Sequence, residues 1–337
     1  MTKRVVFIAI SVLVVAGMTL PLTGGAGPIA SASGAPCGTL PLGSTHYQHV
    51  IWVWMENQSE SDIIGSNQAP YINRLAGTDG PTGACGLATN YHNISHPSLP
   101  NYIAATSGLP LGSLSVFDGD CNPSRSCSTT APSIFGQGES WKAYEESMPK
   151  DCDRGNSGFY AVRHDPPPYY RTLAFCKPHR AVRHGPKISF DVPYYGGPSA
   201  GLAYDLRTNS LPAFSFVTPN RIDDMHDGTI ADGDTWLSNN LPVIFNSSEY
   251  QAGQVVVFVT WDEGEGGSSD DCATNATDKG CSVATIVASP STHAGVPSGV
   301  LFNHYSLLLT TEQLLGLRPL GQAASVNTNS MLSAFNL

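Results

Sequence analysis

Val255-Val256-Val257-Phe258-Val259-Thr260-Trp261-Asp262-Glu263-Gly264-Glu265-Gly266-Gly267 is the stretch that decides the fold. Its first half is an apolar, β-branched run, the pattern of a strand covered on both faces in a parallel sheet. It ends in two adjacent carboxylates and a glycine-rich turn. In open α/β sheets the chemistry sits beyond the carboxyl ends of the strands. Adjacent carboxylates suit a hard cation or acid–base work, although a lone Asp-Glu pair is more often a solvated turn. The pattern recurs. Val50-Ile51-Trp52-Val53-Trp54-Met55 is a second apolar run, and it ends in Glu56-Asn57. Two buried strands that both stop at oxygen ligands point to a site.

Working outward, strand patterns over 50–56, 213–218, 255–261 and 283–288 alternate with helical spacing over 69–75, 97–107, 200–206, 230–245 and 305–315. That alternation predicts an α/β fold: a doubly wound, mostly parallel sheet flanked by helices. Pro242 interrupts the 230–245 helix. A further helix is expected over 139–148, a short strand over 159–162 and a loop over 85–93. Segment 110–137 is rich in Gly, Ser and Pro. The whole of 110–190 reads as a loop-rich, disulfide-stapled insertion or cap. With no repeat and no linker, 33–337 is expected to be a single domain.

Residues 1–32 have the layout of an export signal: Lys3 and Arg4, an apolar core over 5–20, and Ala30-Ser31-Ala32 before the cleavage point. No other run is long enough to span a bilayer. A secreted protein without a stable membrane anchor is therefore expected. All eight cysteines follow that segment, which suits disulfides in an oxidising compartment. The economical local pairs are Cys121–Cys127, Cys152–Cys176 and Cys272–Cys281, leaving Cys37–Cys85, one of 105 connectivities. No Cys-x2-Cys spacing suggests zinc. Formal net charge is −10, and −12 without Lys3 and Arg4, which argues against nucleic acid as a partner. Within 150–187, however, eight Lys/Arg face three Asp. A basic segment on an acidic chain suits an anionic small substrate.

Ser98 stands just before a helical pattern in Ser95-His96-Pro97-Ser98-Leu99-Pro100-Asn101-Tyr102. Such a serine is ordinarily an N-cap, but a helix N-terminus also binds anions and would assist a nucleophile attacking phosphorus. No Gly-x-Ser-x-Gly elbow surrounds any serine, which disfavours an esterase. Asp223, Asp224, His226 and Asp227 crowd the turn after the 213–218 strand, where a metal or a general acid would fit. His304 opens the last helix pattern, and His164 lies in the basic segment.

Together these islands resemble the phosphoesterase family of secreted bacterial acid phosphatases and phospholipases C. The resemblance rests on Glu56-Asn57-Gln58-Ser59, His96-Pro97-Ser98-Leu99-Pro100-Asn101-Tyr102, Arg163-His164-x-Pro166, Asp224-Met225-His226-Asp227-Gly228, Thr260-Trp261-Asp262-Glu263 and Asn303-His304-Tyr305, in that order. It spans roughly 49–317. It implies the alkaline-phosphatase-like fold and one divalent metal ion (Ca, Mg, Mn or Zn) held by Glu56, Asn57, Asp262 and Glu263. Ser98 would be the nucleophile touching that ion. Asn101, His164, His226 and His304 would surround the phosphoryl group. His96, Arg163, Asn57, Asp224 and Asp227 would bind substrate, with Asp224 and Asp227 orienting His226 or holding a second ion. The implied activity is phosphomonoester hydrolysis through a phosphoserine, on a phosphorylated small molecule or phospholipid. With histidine cations as phosphate donors, activity would peak below neutral pH.

Two other readings stay open. A phospholipase C would need a roomier, more apolar cap, which the prolines and tyrosines of 166–170 would supply. An exported anion-binding protein would keep the fold without turnover. The sequence leaves the oligomeric state open.

Overall fold

The computed structural model describes residues 36–78, 85–173, 189–267, 269–292 and 297–337. The export-signal segment, Cys176, and Lys177, Arg180, Arg183 and Lys187 of the basic segment lie outside the described residues. Ala32–Leu337 forms one compact unit.

The strands are β1 (His49–Met55), β2 (Gly86–Ala88), β3 (Tyr91–His92), β4 (Trp141–Glu145), β5 (Ser189–Pro193), β6 (Phe214–Thr218), β7 (Val255–Trp261), β8 (Thr285–Ala288), β9 (Pro297–Ser298) and β10 (Phe302–Asn303). The helices are α1 (Glu60–Ile63), α2 (Pro70–Ala76), α3 (Ser98–Ser107), α4 (Leu202–Thr208), α5 (Ile230–Phe245), α6 (Ser248–Gln251), α7 (His304–Leu314) and α8 (Leu332–Phe335). Eight strands form the main sheet in the order β5-β4-β6-β1-β7-β8-β2-β9, and β3 pairs with β10 apart from it. From β5 to β7 every pairing is parallel. β8 runs antiparallel to both β7 and β2.

β1 and β7 lie side by side at the middle of the sheet, and every residue of β7 is buried. Side chains alternate across a strand, so β1 supplies two helix layers at once. Trp52 Nε1 donates to Thr311 Oγ1 of α7 at 2.9 Å, and Trp54 packs against Tyr102 of α3 and His304 of α7. Met55 points the opposite way, toward α5. There a Cβ on Gly233 would come within 2.4 Å of Met225 and 3.0 Å of Met55. The doubly wound arrangement is thus written into one strand.

Three local expectations are overturned. The 139–148 segment is not helical: its centre is β4, inserted between β5 and β6 with Trp141, Ala143, Tyr144 and Glu145 buried. The helix-forming Lys, Ala and Glu yield to sheet packing on both sides. Segment 110–190 therefore supplies a strand of the main sheet as well as loops. Residues 85–93 contain β2 and β3 instead of a loop, and 159–162 makes one bridge, Ser157 with Tyr160, before a 3-10 turn at Val162–His164. The helix boundaries hold more closely. α3 stops at Gly108, whose φ of +69° and approach to the Leu320 carbonyl leave no room for a Cβ.

Cys37–Cys85, Cys121–Cys127 and Cys272–Cys281 are disulfides. Cys152 is also disulfide-bonded, and its expected pairing with Cys176 falls outside the described residues.

Trp54 is fully buried beneath the functional end of the sheet. Trp54→Ala is expected to cost about 3–5 kcal/mol in denaturant unfolding and to lower turnover through His304 and Tyr102. A loss below about 1 kcal/mol would show that this layer does not hold the fold.

Candidate active site

The register of the central strands builds the site. Met55 pairs with Trp261, so Glu56 and Asp262 leave neighbouring parallel strands at the same level. Asp262 N donates to Met55 O at 2.9 Å, and Glu56 N donates to Asp224 O at 2.8 Å. The loops after β6, β1 and β7 are thereby laced together. Asn57, at φ 52°, turns its N–H onto Asp262 Oδ1 at 3.0 Å. The contribution of Asn57 seen here is this backbone bond.

Ser98 is the first residue of α3 and is buried. Its hydroxyl donates to Glu56 Oε2 at 2.9 Å and lies 3.5 Å from Glu263 Oε1. It is therefore not the N-cap of its helix; Pro97 occupies that position and offers no capping side chain. Glu263 Oε2 faces His96 Nδ1 at 2.6 Å. On the other side of Glu56 stands His164, with Nε2 3.4 Å from Glu56 Oε1 and Nδ1 3.1 Å from Asp224 Oδ2. Tyr102 stacks on His164 with parallel rings and donates its hydroxyl to Glu56 Oε1.

His226 N donates to Asp224 Oδ1 at 2.7 Å, and its Nδ1 faces Asp227 Oδ1 at 2.6 Å. Arg163 Nη2 lies 2.8 Å from His226 Nε2. A guanidinium can only donate, so Nε2 accepts and the imidazole proton sits on Nδ1. Asp227 also pairs with Arg221 at 2.5 Å. Asp223 turns away and accepts from Asn220.

Two expected site residues serve as supports. Asn101 accepts from Ile94 N and Ser95 N and donates to Ser95 O and Pro97 O. Both ends of its amide hold the loop that presents Ser98, so the side chain has no free group to offer a phosphoryl oxygen. His304 is fully buried, with Nε2 2.7 Å from the Asp262 carbonyl and Nδ1 3.2 Å from Tyr91 OH. It fixes the Asp262 backbone from behind. Asn303, the cap of α7, accepts from Tyr305 N and Ser306 N and sets the His304 position.

Glu56, Asp224, Asp262 and Glu263 are all buried, and no Lys or Arg pairs with any of them among the described residues. Burial and mutual repulsion raise Glu56 well above the usual carboxylate range and push Asp262 up to about 8. Burial holds His304 down at about 4 and His164 well below its ordinary value. Neither is then a cation at neutral pH, contrary to the expectation of cationic phosphate donors at those positions. His96 is moved the other way: burial opposes its charge, but the Glu263 carboxylate outweighs it.

Sequence reasoning passed over Tyr102, Tyr91 and Asp120. Tyr102 had a signal, since i+4 from Ser98 lies on the same helix face. Asp120 Oδ1 accepts from Leu99 N at 2.9 Å, a long-range contact that no local pattern announces.

Glu56, His164 and His226 also bring one ligand atom each within 4.8 Å of one another. His96 comes similarly close to Cys272 and Cys281, but those sulfurs are joined in a disulfide.

Comparison with known proteins gives the family. Residues 66–318 match the Phosphoesterase family. The chain belongs to that family and is by class a phosphoric ester hydrolase. It is similar to the phosphatidylinositol-3-phosphatase of Mycobacterium tuberculosis, at 28% identity over 83% of this chain and 80% of that protein. The phosphate-repressible acid phosphatase of Penicillium chrysogenum is 28% identical over 70% of this chain, and the acid phosphatase of Aspergillus fumigatus 25% identical over 82%. The chain spans 53% and 56% of those two fungal proteins. A protein of the alkaline phosphatase superfamily from Vibrio parahaemolyticus superposes with a TM-score of 0.52 at 11% identity, over 85% of this chain and 72% of its own. The fold is alkaline-phosphatase-like.

Between pH 7 and 8 the unfolded chain has lost its carboxyl and most of its histidine protons, whereas folded Asp262, raised to about 8, still holds much of its own, and Glu56 is shifted in the same direction. The folded state binds more protons, so chelated protein should lose stability as pH rises through that window, by at most about 1.4 kcal/mol per pH unit for each excess proton. Calorimetric melting in a chelator checks this; a rise in stability would contradict it.

Proposed function

We propose that the protein is an exported acid phosphatase that hydrolyses phosphomonoesters through a phosphoserine on Ser98 at a metal-assisted site. The observation that carries this reading is the Ser98 hydroxyl. It lies at the start of a ten-residue helix, 2.9 Å from Glu56 Oε2 and 3.5 Å from Glu263 Oε1. The acid phosphatase and phosphatidylinositol-3-phosphatase relatives support the same chemistry. The signal-like segment at 1–32 and the disulfides support export.

The donor set fits a hard divalent cation. Four buried carboxylates with no Lys or Arg partner among the described residues need protons, a histidine partner or a metal to offset their burial, and Asp262 Oδ2 is buried without a hydrogen-bond partner. Glu56, Asn57, Asp262 and Glu263 would hold one ion beside Ser98. When bound, it would lower the pKa of the serine hydroxyl and polarise the phosphoryl group.

The remaining steps belong to the chain's own groups. Ser98 Oγ attacks phosphorus in line, and its proton passes to the carboxylate cluster it already faces. Helix α3 directs its N-terminal amides at the phosphoryl oxygens. Once Arg163 turns to the substrate, His226 Nε2 takes up a proton from solvent, and the imidazolium so formed, backed by Asp227, protonates the leaving alcohol. His164 and Tyr102 hold Glu56, while Asn101 and His304 position Ser98 and Asp262. Water then attacks the phosphoserine and frees phosphate.

A phosphomonoester is favoured over a phosphodiester. Pro166, Pro167 and Pro168 are buried, as are Tyr169 and Tyr170, whose hydroxyls are bonded inside the protein. These residues are core and not the apolar lipid cap that a phospholipase C would need.

Ser98→Ala should reduce turnover of p-nitrophenyl phosphate by roughly 10³-fold or more while retaining phosphate binding. A chelator should abolish activity and a divalent cation restore it. Turnover of the phosphocholine ester in preference to the monoester would select the diesterase reading. Binding of phosphate without turnover in the wild type would select a non-catalytic binder.

A further inference from the structure

Asp120 belongs to none of the motifs, yet it lies against the N-terminus of the nucleophile helix. It sits at φ 47° beside the loop closed by Cys121–Cys127. Its Oδ1 accepts from Leu99 N at 2.9 Å, the amide that directly follows Ser98. Its Oδ2 lies 3.7 Å from Arg163 Nε, a buried donor with no hydrogen-bond partner. Arg163 in turn holds His226.

Donors are scarce at this end of α3. Pro97 and Pro100 carry no N–H. Of the first three helical residues, only Ser98 and Leu99 can offer an amide to an anion, and Asp120 engages one of them. A phosphoryl group poised for attack by Ser98 has to use this same place, because helix amides and a guanidinium are what its equatorial oxygens require.

We infer that the Asp120 carboxylate is a built-in stand-in for the phosphoryl group, which substrate displaces from Leu99 N–H and Arg163 on binding. This rests on the phosphatase reading above and deepens it. Between turnovers the carboxylate satisfies Leu99 N–H and places its charge opposite Arg163. It also weakens the site for phosphate, since the incoming anion must displace a like charge. Displacing it turns Arg163 toward the substrate and leaves His226 Nε2 free to take up from solvent the proton that it gives to the leaving group. On the return, the carboxylate competes with product phosphate and hastens its release.

The test uses full-length protein and two variants. Asp120→Asn keeps an acceptor for Leu99 N–H and removes the charge; Asp120→Ala removes both. Calorimetry with inorganic phosphate and inhibition kinetics with p-nitrophenyl phosphate are read together. The inference expects the phosphate inhibition constant and KM to fall together in Asp120→Asn, by roughly tenfold on removal of a like charge. It expects kcat to stay level or fall as product release slows. Should Asp120→Ala fail to fold, the isosteric Asn variant still decides. A phosphate affinity unchanged or weakened in Asp120→Asn would reduce Asp120 to a helix cap and overturn the inference alone. Wild-type protein that neither binds phosphate nor turns over the monoester would fail the phosphatase reading, and the inference with it.

Discussion

The structure depends on the parallel alignment of β6, β1 and β7. Val53 pairs with Val217 on one side and Val259 on the other, and Met55 pairs with Trp261. Because neighbouring strands run the same way and stop at the same height, whatever follows them is delivered to one rim. Here that is Glu56, Asp224 and Asp262, joined by backbone bonds between the loops. A shift of one residue in β1 would reverse which side chains face α3 and α7. It would pull Trp52 and Trp54 from under the site. The aromatic layer and the carboxylate rim are two consequences of one register.

That rim crowds carboxyl groups together where water is excluded, and their burial and repulsion favour the protonated forms. The sheet and helices hold the carboxylates in place despite the desolvation cost, which is how functional sites differ from ordinary cores. The histidines around it have divided roles. His164 and His304 are enclosed and neutral, serving as spacers between carboxylate, tyrosine and backbone. His96 and His226 lie nearer solvent, each with a carboxylate partner. The same residue type thus acts as scaffold in two places and as a candidate proton carrier in the other two.

Much of this was legible in the sequence. Apolar runs ending in Glu56-Asn57 and Asp262-Glu263 announce both the buried strands and the carboxyl groups at their ends, because one segment encodes both. The proline and glycine punctuation around Ser98–Ser107 gives α3 nearly to the residue. What failed was decided by distant partners. Trp141–Glu145 is a strand only because β5 and β6 flank it, and its composition favours a helix when read alone. Asn101 looked like a substrate contact, yet its bonds to Ile94, Ser95 and Pro97 make it a loop clamp. Asp120 is invisible to local patterns, since its meaning comes from an amide 21 residues away.

The central claim is that Ser98 and the Glu56 carboxylate, 42 residues apart in the chain, act as one chemical unit. A double-mutant cycle on kcat/KM with Ser98→Ala and Glu56→Gln measures this most directly. Groups that work as a unit lose most of their effect at the first deletion. The account predicts that the double variant is scarcely slower than the slower single one. Losses that multiply across the two substitutions would contradict it.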